Sequence, residues 1–305
     1  MSSGVLQAGL AYAIWGLLPL YFHLVAAVAP FEIVLQRALW SLAFVLLLLA
    51  VLRRWGWLRD IARQPRTLGI FASSALLLSV NWLVYVWAVT HGLVVESSLG
   101  YFITPLVNVL LGYFVLKERP RRMQWVALAI AAAGVLWLAV FTGSLPWVGL
   151  VLAASFGIYG LLRKTAPLGA LEGLALETLL LAPLAAGLLA WRASQGANTA
   201  GGDASLLALL ALSGPLTALP LLLFAAGARR IPLTTLGVLQ YIGPTIQFAL
   251  GVWLFHEPFG GPRLVGFVLI WLALVVYTGE SLVWMRRRPP GVNGSPTPGE
   301  AQGRA

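Results

Sequence analysis

Two charged side chains lie inside long apolar stretches of this sequence, where each needs a specific reason to be present. Arg37 interrupts the apolar run Phe31–Leu52, and Glu177 interrupts the run Leu171–Trp191 at a position 140 residues later. A charged group at the centre of a bilayer costs roughly 2.5–3.5 kcal/mol on insertion scales. We interpret Arg37 as a group that attracts an anionic or zwitterionic solute, or that pairs with Glu177 in a gate. The alternatives are that Arg37 extends to the membrane surface or forms a fixed structural pair.

A second candidate group combines hydrogen-bonding and aromatic side chains. Asn81 and Tyr85 are four residues apart and therefore share one face of a helix, with Trp82 beside them. Together with Tyr12 and Trp15 they would form a lining that binds a planar or amphipathic solute. The alternative is that the amide joins two helices and that the aromatic rings face lipid, as is common in membrane proteins.

A third candidate group is a proline followed by a side-chain amide, and it occurs twice. In both copies the polar residues are spaced by three or four positions, so they share a helix face. The residues are Tyr101, Thr104, Pro105 and Asn108 in the first copy and Gln240, Tyr241, Pro244 and Gln247 in the second. Proline removes a backbone hydrogen bond and can kink a helix, which suits a gate. The pattern predicts a solute-facing or gating role, and the alternative is a static kink.

The second copy belongs to an internal repeat. The stretch Ser97–Glu118 is matched by Thr234–Pro258, with a two-residue insertion near the start. Adding 139 to the residue number carries Phe102 to Tyr241, Pro105 to Pro244, Asn108 to Gln247, Gly112 to Gly251 and Glu118 to Glu257. A shared apolar pattern alone would not place proline, amide, glycine and carboxylate in the same order. We therefore infer two related halves, and such a repeat constrains the fold.

The composition is that of a membrane protein. Of the 305 residues, 60% are hydrophobic and only 10% are charged, and the mean hydropathy is +0.88. Soluble domains carry about 25% charged residues, so this chain could not cover a water-facing surface. The net charge of +10 comes from short basic clusters between apolar runs, which indicates membrane loops. We therefore expect the chain to lie in a lipid bilayer and to have no nucleic-acid partner. Cysteine is absent, which excludes disulfides and thiolate metal sites.

Ten apolar segments approach the length of about 20 residues that a membrane-spanning helix needs. They are Gly4–Val28, Phe31–Leu52, Thr67–Thr90, Val95–Leu116, Met123–Phe141, Trp147–Leu162, Leu171–Trp191, Leu206–Ala228, Thr234–Phe255 and Arg263–Met285. We predict an all-α membrane protein with ten transmembrane helices. They form two inverted five-helix repeats, over residues 4–142 and 146–285. Residues 286–305 are rich in proline and glycine and are predicted to be a disordered cytoplasmic tail.

The basic residues predict the orientation of the helices. If the N-terminus is cytoplasmic, every lysine and arginine except Arg37, Arg192 and Arg263 falls in a cytoplasmic loop or in the tail. The positive-inside rule therefore places both termini in the cytoplasm. Each half holds an odd number of helices, so the second half is inverted in the membrane relative to the first. Inverted repeats are typical of secondary transporters, which bind their solute near the midplane between the halves.

Four motifs carry a resemblance to a known family. They are Trp15–Phe22, Asn81–Val89, Ser97–Pro120 and Leu239–Pro258. The chain resembles the EamA group of the drug/metabolite transporter superfamily. Within that group, its motifs are similar to those of the RarD-like branch. One departure is Thr104, where the family pattern has asparagine before the proline. The resemblance implies ten helices in two inverted halves and a carrier of small organic solutes in the bacterial inner membrane.

We therefore expect a secondary transporter that moves a metabolite, an amino-acid-like compound or a drug by alternating access. The sequence contains no phosphate-binding loop, no metal-ligand spacing among its three histidines and no catalytic constellation. We expect no cofactor, no metal and no enzymatic activity, in a monomer or a homodimer. Glu177 is the best-placed carboxylate if a proton or ion gradient drives transport. The alternatives are an intramembrane enzyme acting on a lipid-linked substrate and a membrane sensor that moves no solute.

Overall fold

The computed structural model describes residues 3–61, 63–117, 119–196, 203–228, 230–231 and 239–286, and the regular structure within these ranges is helical. The helices are α1 (Ser3–Leu24), α2 (Pro30–Leu52), α3 (Trp57–Ile61), α4 (Pro65–Thr90), α5 (Val94–Phe114), α6 (Arg122–Phe141), α7 (Trp147–Thr165), α8 (Ala170–Ser194), α9 (Ala204–Ala228), α10 (Ile242–Ala249), continued by a π-helical turn (Leu250–Leu254), and α11 (Pro262–Arg286). The predicted tail, Glu118 and the start of the ninth predicted segment lie outside the described residues. Eight helices in the described ranges are long and apolar enough to cross a membrane, and Trp147–Arg163 and Ile242–Leu254 are shorter apolar helices.

Proline and glycine set the ends of several helices. Pro30 and Pro65 occupy the first turns of α2 and α4, where a missing backbone N–H breaks no helical hydrogen bond. Gly92 follows α4 and Gly196 follows α8, with φ angles of 69° and 80°. Glycine adopts this left-handed backbone without the steric cost that a side chain would add. These signals explain why most of the predicted segments begin and end close to the observed helices.

The ninth predicted segment, Thr234–Phe255, differs from what the structure describes. Gln240 and Tyr241 form a turn, and α10 begins only at Ile242. Pro244 therefore lies in the first turn of α10 and not in a helix interior, so its missing N–H interrupts no helix there. Proline is compatible with both a helix start and a kink, and residues 232–238 before the turn lie outside the described part of the chain, so a gating role at Pro244 stays a prediction.

The helices associate in a definite set of pairs. The most extensive pairs are α6 with α11, α5 with α7, α1 with α9, α2 with α9, α2 with α8, and α4 with α7. Smaller contacts join α1 to α10, α5 to α10, α2 to α4, and α4 to α8. The largest buried cluster draws its residues mainly from α1, α2, α4, α7 and α9, so the packed centre lies between these helices.

Two ion pairs fix α2 against α8 at opposite ends. Glu32 at the start of α2 contacts Arg192 at the end of α8. At the other end, Glu172 at the start of α8 accepts from Arg54, with 2.6 Å between Oε1 and Nη2. Both carboxylates are buried, whereas both arginines keep contact with the outside. This arrangement requires α2 and α8 to run antiparallel.

Glycines allow other helix pairs to approach closely. A Cβ atom added at Gly16 in α1 would lie 2.8 Å from Cβ of Ile246 in α10. A Cβ atom added at Gly157 in α7 would lie 2.9 Å from Cγ1 of Val107 in α5. Small residues at such positions are typical of helix packing in membranes.

The outside of the bundle is apolar. Large aliphatic and aromatic side chains are mostly exposed along several helices, which would be unfavourable in water but is suited to lipid. Examples are Leu47, Val51, Leu136, Val140, Trp253 and Val275. The polar groups that the sequence predicts to be functional therefore have to be sought in the interior.

Candidate functional site

Arg37 is buried near the start of α2, with 5% of its surface exposed. Its Nε donates a hydrogen bond to Oγ1 of Thr217 in α9, at 2.9 Å. The guanidinium carbon lies 4.2 Å from the ring centroid of Trp82 and 5.6 Å from that of Phe22. Arginine often stacks on an aromatic ring in this way, because the face of the ring attracts a cation.

Tyrosines complete the surroundings of Arg37. The rings of Tyr21 and Tyr85 contact the ring of Phe22, and Tyr101 contacts Tyr85, so three phenols lie in the neighbourhood of the guanidinium. The ring of Tyr85 contacts those of Phe22 and Tyr101 edge to face, each with a centroid separation of 5.8 Å. The hydroxyl of Tyr85 is buried and has no hydrogen-bond partner in the described part of the chain.

The Arg37 site is defined here by five side chains, which are Phe22, Arg37, Trp82, Tyr85 and Tyr101. They come from α1, α2, α4 and α5. Trp82 and Tyr85 are three residues apart in α4, so both project from one helix face. The structure thus brings together four of the predicted site residues, Arg37, Trp82, Tyr85 and Tyr101, around one buried cation.

Asn81 belongs to a different contact. Its Nδ2 donates to the backbone oxygen of Leu152 at 3.2 Å and to Oγ of Ser155 at 2.9 Å, and both acceptors lie in α7. Since the carboxamide is engaged between α4 and α7, it joins two helices. This geometry corresponds to the structural alternative that the sequence left open for Asn81.

Glu177 lies in its own polar cluster and is fully buried. Its Oε1 accepts a hydrogen bond of 2.6 Å from Ser74 in α4, and Tyr159 in α7 donates to Oε2 at 3.4 Å. The cation nearest to it is Arg163, whose Nη1 lies 3.8 Å from Oε1. The pair between Arg37 and Glu177 that the sequence suggested does not form in this structure, because each residue has other partners.

Tyr12, Trp15 and Gln247 form a third group, between α1, α9 and α10. The rings of Tyr12 and Trp15 contact each other and the ring of Phe224, with centroid separations of 5.6–5.8 Å. Gln247 donates from Nε2 to the backbone oxygen of Trp15 at 3.2 Å. Pro19 follows Trp15 by four residues and has no N–H to offer this oxygen, so the amide of Gln247 supplies the missing donor. Along α1, Phe22 lies about 15 Å beyond Tyr12 but only about 10 Å beyond Trp15, so this group adjoins the Arg37 site without sharing its side chains.

The remaining predicted residues lie apart from the Arg37 site. Asn108 is exposed on α5, with its Oδ1 facing Gly157, and Gln240 is half-buried in the turn before α10. Pro105 is buried inside α5, four residues after Tyr101. The backbone oxygen of Tyr101 therefore loses its usual helical donor beside the site.

Comparison with known proteins identifies the family of this chain. Residues 2–140 match the profile of the EamA-like transporter family. Protein RarD of Streptomyces exfoliatus is 48% identical over 286 residues, which are 93% of this chain and 91% of that protein. The chain belongs to the RarD-like branch of the EamA family.

Further members of the family agree. Uncharacterized transporter YojE of Bacillus subtilis (strain 168) is 45% identical over 288 residues, 93% of this chain and 96% of that protein. Chloramphenicol-sensitive protein RarD of Pseudomonas aeruginosa is 33% identical over 291 residues, again 93% and 96%. A solved structure described as "Crystal structure of protein" has the same fold, with a TM-score of 0.60 at 21% identity over 93% of this chain and 99% of that one. Family and apolar helices together identify a multi-pass bacterial membrane transporter.

This EamA-family protein has a further polar region where α5 and α7 begin. Glu257, which follows the π-helical turn, accepts from the backbone N–H groups of Val94 and Val95 at 2.6 and 2.8 Å. Glu96 accepts from the N–H of Val148 at 3.0 Å. Both carboxylates line a cavity of about 50 Å³. Burial raises the pKa of Glu257, although its two backbone hydrogen bonds act in the opposite direction. Carboxylates favour helix N-termini, so these two residues stabilise the ends of α5 and α7.

Several residues in these contacts escaped the sequence analysis. Phe22 lies in one of the four motifs that carry the family resemblance, but the sequence predicts no function for its side chain. Thr217 is a single hydroxyl in an apolar helix, and Arg163 was assigned to a loop. Their contacts join helices far apart in sequence, so spacing along the chain held no signal for them.

Proposed function

We propose that this EamA-family protein is a secondary transporter with its solute-binding position at the Arg37 site. It would carry a metabolite, an amino-acid-like compound or a drug across the bacterial inner membrane by alternating access. The observation that carries the proposal is the position of the site between helices of both predicted halves. Four helices of the first half supply its side chains, and α9 of the second half closes it through Thr217. A solute held there would contact both halves, as alternating access requires.

The helix pairs support two inverted five-helix repeats over residues 4–142 and 146–285. In chain order, the repeat makes α1, α2, α4, α5 and α6 equivalent to α7, α8, α9, α10 and α11. Replacing each helix by its equivalent turns the pair α5–α7 into α10–α1, the pair α1–α9 into α7–α4, and the pair α2–α9 into α8–α4. All six of these pairs are in contact. Equivalent helices α2 and α8 run antiparallel, as inversion demands. Phe102 and Tyr241, which the repeat aligns, stack on each other with a centroid separation of 6.5 Å. Residues related by a two-fold axis meet in this way when they lie close to it.

The orientation follows from the basic residues. Both termini would lie in the cytoplasm, and residues 286–305 would form a cytoplasmic tail. The protein would need no cofactor, and no enzymatic step is assigned to it. The proposed assembly is a monomer or a homodimer.

Pro105 is the proposed hinge of this transporter. Since it interrupts the hydrogen bonding of α5 beside Tyr101, bending at this point would move one wall of the Arg37 site. Pro244 begins α10 after the turn at Gln240, so the equivalent flexibility of the second half would lie in that turn. The hydrogen bond from Gln247 to Trp15 joins α10 to α1 on the C-terminal side of this turn. Tyr12 and Asn108 lie at neighbouring contacts between helices.

Uptake into proteoliposomes tests the proposal. The purified full-length chain is reconstituted and assayed against a panel of radiolabelled amino acids, nucleosides, sugars, aromatic acids and amides. Transport predicts saturable uptake of at least one class, at a rate above that of protein-free liposomes. Product formation in detergent without any uptake would instead favour the intramembrane enzyme. Ligand binding without uptake would favour the sensor.

Glu177 is the proposed coupling group if protons drive the uptake. It is a buried carboxylate held by a serine, a tyrosine and an arginine of other helices, so a change in its charge would alter contacts between α4, α7 and α8. Glu177→Gln should abolish gradient-driven accumulation while leaving exchange between equal solute concentrations intact. Asp203→Asn removes an exposed carboxylate before α9 and is the control, which should retain accumulation. Unchanged accumulation in Glu177→Gln would remove Glu177 from the coupling mechanism.

A further inference from the structure

Within the described residues, no counter-charge accompanies Arg37. A guanidinium stays protonated in proteins, and a buried charge costs several kcal/mol unless a counter-charge accompanies it. The contacts of Arg37 are with Thr217, Trp82, Phe22 and tyrosines, all of which are neutral. The contact with Trp82 offsets only part of the cost, since a cation–π contact is weaker than the hydration that a buried cation loses.

The acidic residues of the described chain are engaged elsewhere. Four of them contact other arginines, two accept backbone N–H groups at the starts of α5 and α7, and two are exposed, one in α3 and one before α9. The four that contact arginines are Glu32, Glu172, Glu177 and Glu280. The two that accept backbone N–H groups are Glu96 and Glu257, and the two exposed ones are Asp60 and Asp203. Within the ranges that the structure describes, no carboxylate is paired with Arg37.

The unused donors of Arg37 have the geometry that binds an oxyanion. Its Nε is bound to Thr217, but its two terminal nitrogens make no hydrogen bond to the described residues. A guanidinium binds a carboxylate through two parallel N–H···O bonds in its own plane, and the two terminal nitrogens can supply both of these bonds. The buried hydroxyl of Tyr85, which also has no partner in the described residues, is a further donor beside the same cation.

The walls of the site determine what else a ligand needs. Phe22, Trp82, Tyr85 and Tyr101 present aromatic surface, so the remainder of a ligand would pack against rings. A cation would be repelled by the guanidinium. A ligand without an anionic group would leave the charge of Arg37 uncompensated.

We propose that the Arg37 site selects small organic monoanions, in which a carboxylate pairs with the terminal nitrogens of Arg37 and a planar apolar body packs against Trp82, Tyr85 and Tyr101. This inference rests on the proposed function, and it adds the substrate class. The hydroxyl of Tyr85 would donate a hydrogen bond to the same carboxylate.

Matched ligand pairs test the charge requirement without any mutation. The detergent-purified protein is titrated calorimetrically with benzoate and benzamide, phenylacetate and phenylacetamide, and indole-3-carboxylate and its amide. Each amide keeps the shape of its acid and removes the charge. At least one carboxylate should bind 10-fold or more tightly than its amide, because a charge-assisted hydrogen bond contributes roughly that much. If no carboxylate binds more tightly than its amide, the inference is overturned.

Variants then locate the effect. Arg37→Gln should weaken binding of the preferred carboxylate roughly 10- to 100-fold and leave its amide unaffected. Arg37→Lys, which keeps the charge but not the planar fork, should fall between the wild type and Arg37→Gln. Arg59→Gln removes an exposed arginine of α3 and is the control, which should bind as the wild type does. A preference for carboxylates that survives Arg37→Gln would place the anion elsewhere and contradict the assignment.

Flux measurements keep this inference separate from the proposed function. Binding of carboxylates without uptake into proteoliposomes would support the anion site and contradict transport. Uptake of amides or amines in preference to carboxylates would support transport and contradict the anion site.

Discussion

Arg37 is held in the bundle by an aromatic ring and a hydroxyl. Buried charges are commonly paired, and no carboxylate of the described residues contacts Arg37, so the stabilisation within these residues comes from Trp82 and Thr217. The same arrangement leaves the guanidinium available to a ligand. A site that is incomplete without its ligand commonly reduces the stability of the empty protein.

The contact between Arg37 and Trp82 can be measured directly. In a double-mutant cycle of Arg37→Gln and Trp82→Leu, we expect a coupling free energy of about 2 kcal/mol for unfolding in detergent micelles. The physical reason is that the ring attracts the cation in an environment without water. The control cycle combines Trp82→Leu with Arg54→Gln, whose effects should add to within about 0.5 kcal/mol. Additive effects in both cycles would show that the ring does not stabilise the charge.

Glu257 gives a pH-dependent prediction. Burial raises its pKa above the ordinary value of 4.5, Arg263 lowers it, and the nearby Glu96 raises it further. The folded protein therefore takes up a proton at a higher pH than the unfolded chain does, and stability falls as the pH rises through that window. Lowering the pH from 7 to 5 should raise the melting temperature of the wild type relative to that of Glu257→Gln.

The neighbouring carboxylate provides the control for this titration. Glu96→Gln removes one of the causes of the raised pKa of Glu257, so the pH-dependent difference should become smaller in that background. A difference in melting temperature that is equal at pH 5 and pH 7 would contradict the account of Glu257.

At the scale of the helices, apolar length predicted most of the elements, and local chemistry predicted many of their ends. Pro30, Pro65 and Gly92 signal boundaries because their backbone preferences act locally. Pro244 is less informative, since a proline within an apolar run is compatible with both a kink and a helix start. The turn at Gln240 and Tyr241 that precedes α10 has no distinctive residue.

The site was predictable only in part. Polar and aromatic groups are conspicuous in an apolar sequence. The sequence therefore identifies four members of the site as candidates, which are Arg37, Trp82, Tyr85 and Tyr101. Which of them meet depends on the packing of five helices, and no spacing along one helix encodes that. Thus Asn81, next to Trp82 in sequence, contacts α7, while Thr217, 180 residues from Arg37, binds it.

Close packing of α5 and α7 leads to a prediction with a control in the same helix. Gly157→Ala would place a methyl group 2.9 Å from Val107, whereas a Cβ at Gly160 meets nothing within 4 Å. Alanine is favoured over glycine inside a helix by about 1 kcal/mol. Gly160→Ala should therefore raise the melting temperature slightly, and Gly157→Ala should lower it. Equal shifts for both variants would show that α5 and α7 do not touch closely at Gly157.

At the scale of the whole molecule, orientation can be read with single cysteines. The chain contains no cysteine, so an introduced thiol has no background. Ser144→Cys lies in the link between α6 and α7, and Gly56→Cys lies in the turn before α3. In spheroplasts, a membrane-impermeant maleimide should label Ser144→Cys, and it should label Gly56→Cys only after permeabilisation. The reverse pattern would place the N-terminus outside and overturn the proposed topology.

The two halves give the molecule its proposed mechanism. Each end of the antiparallel pair α2 and α8 is closed by one ion pair, Glu32 with Arg192 and Glu172 with Arg54. The Arg37 site lies between these ends and contains side chains of one half held by a hydroxyl of the other. Rocking of the halves about α2 and α8 would expose the site first to one face and then to the other.

Exchange across the membrane tests this mechanism most directly. Proteoliposomes are loaded with an unlabelled solute that the protein carries, and the initial uptake of the labelled solute is compared with uptake into empty proteoliposomes. A carrier that reorients faster when occupied should take up label faster into the loaded vesicles, and Arg37→Gln should lose this uptake. Uptake that does not saturate and is indifferent to the internal solute would indicate a pore, and no uptake above that of protein-free liposomes for any solute would contradict transport itself.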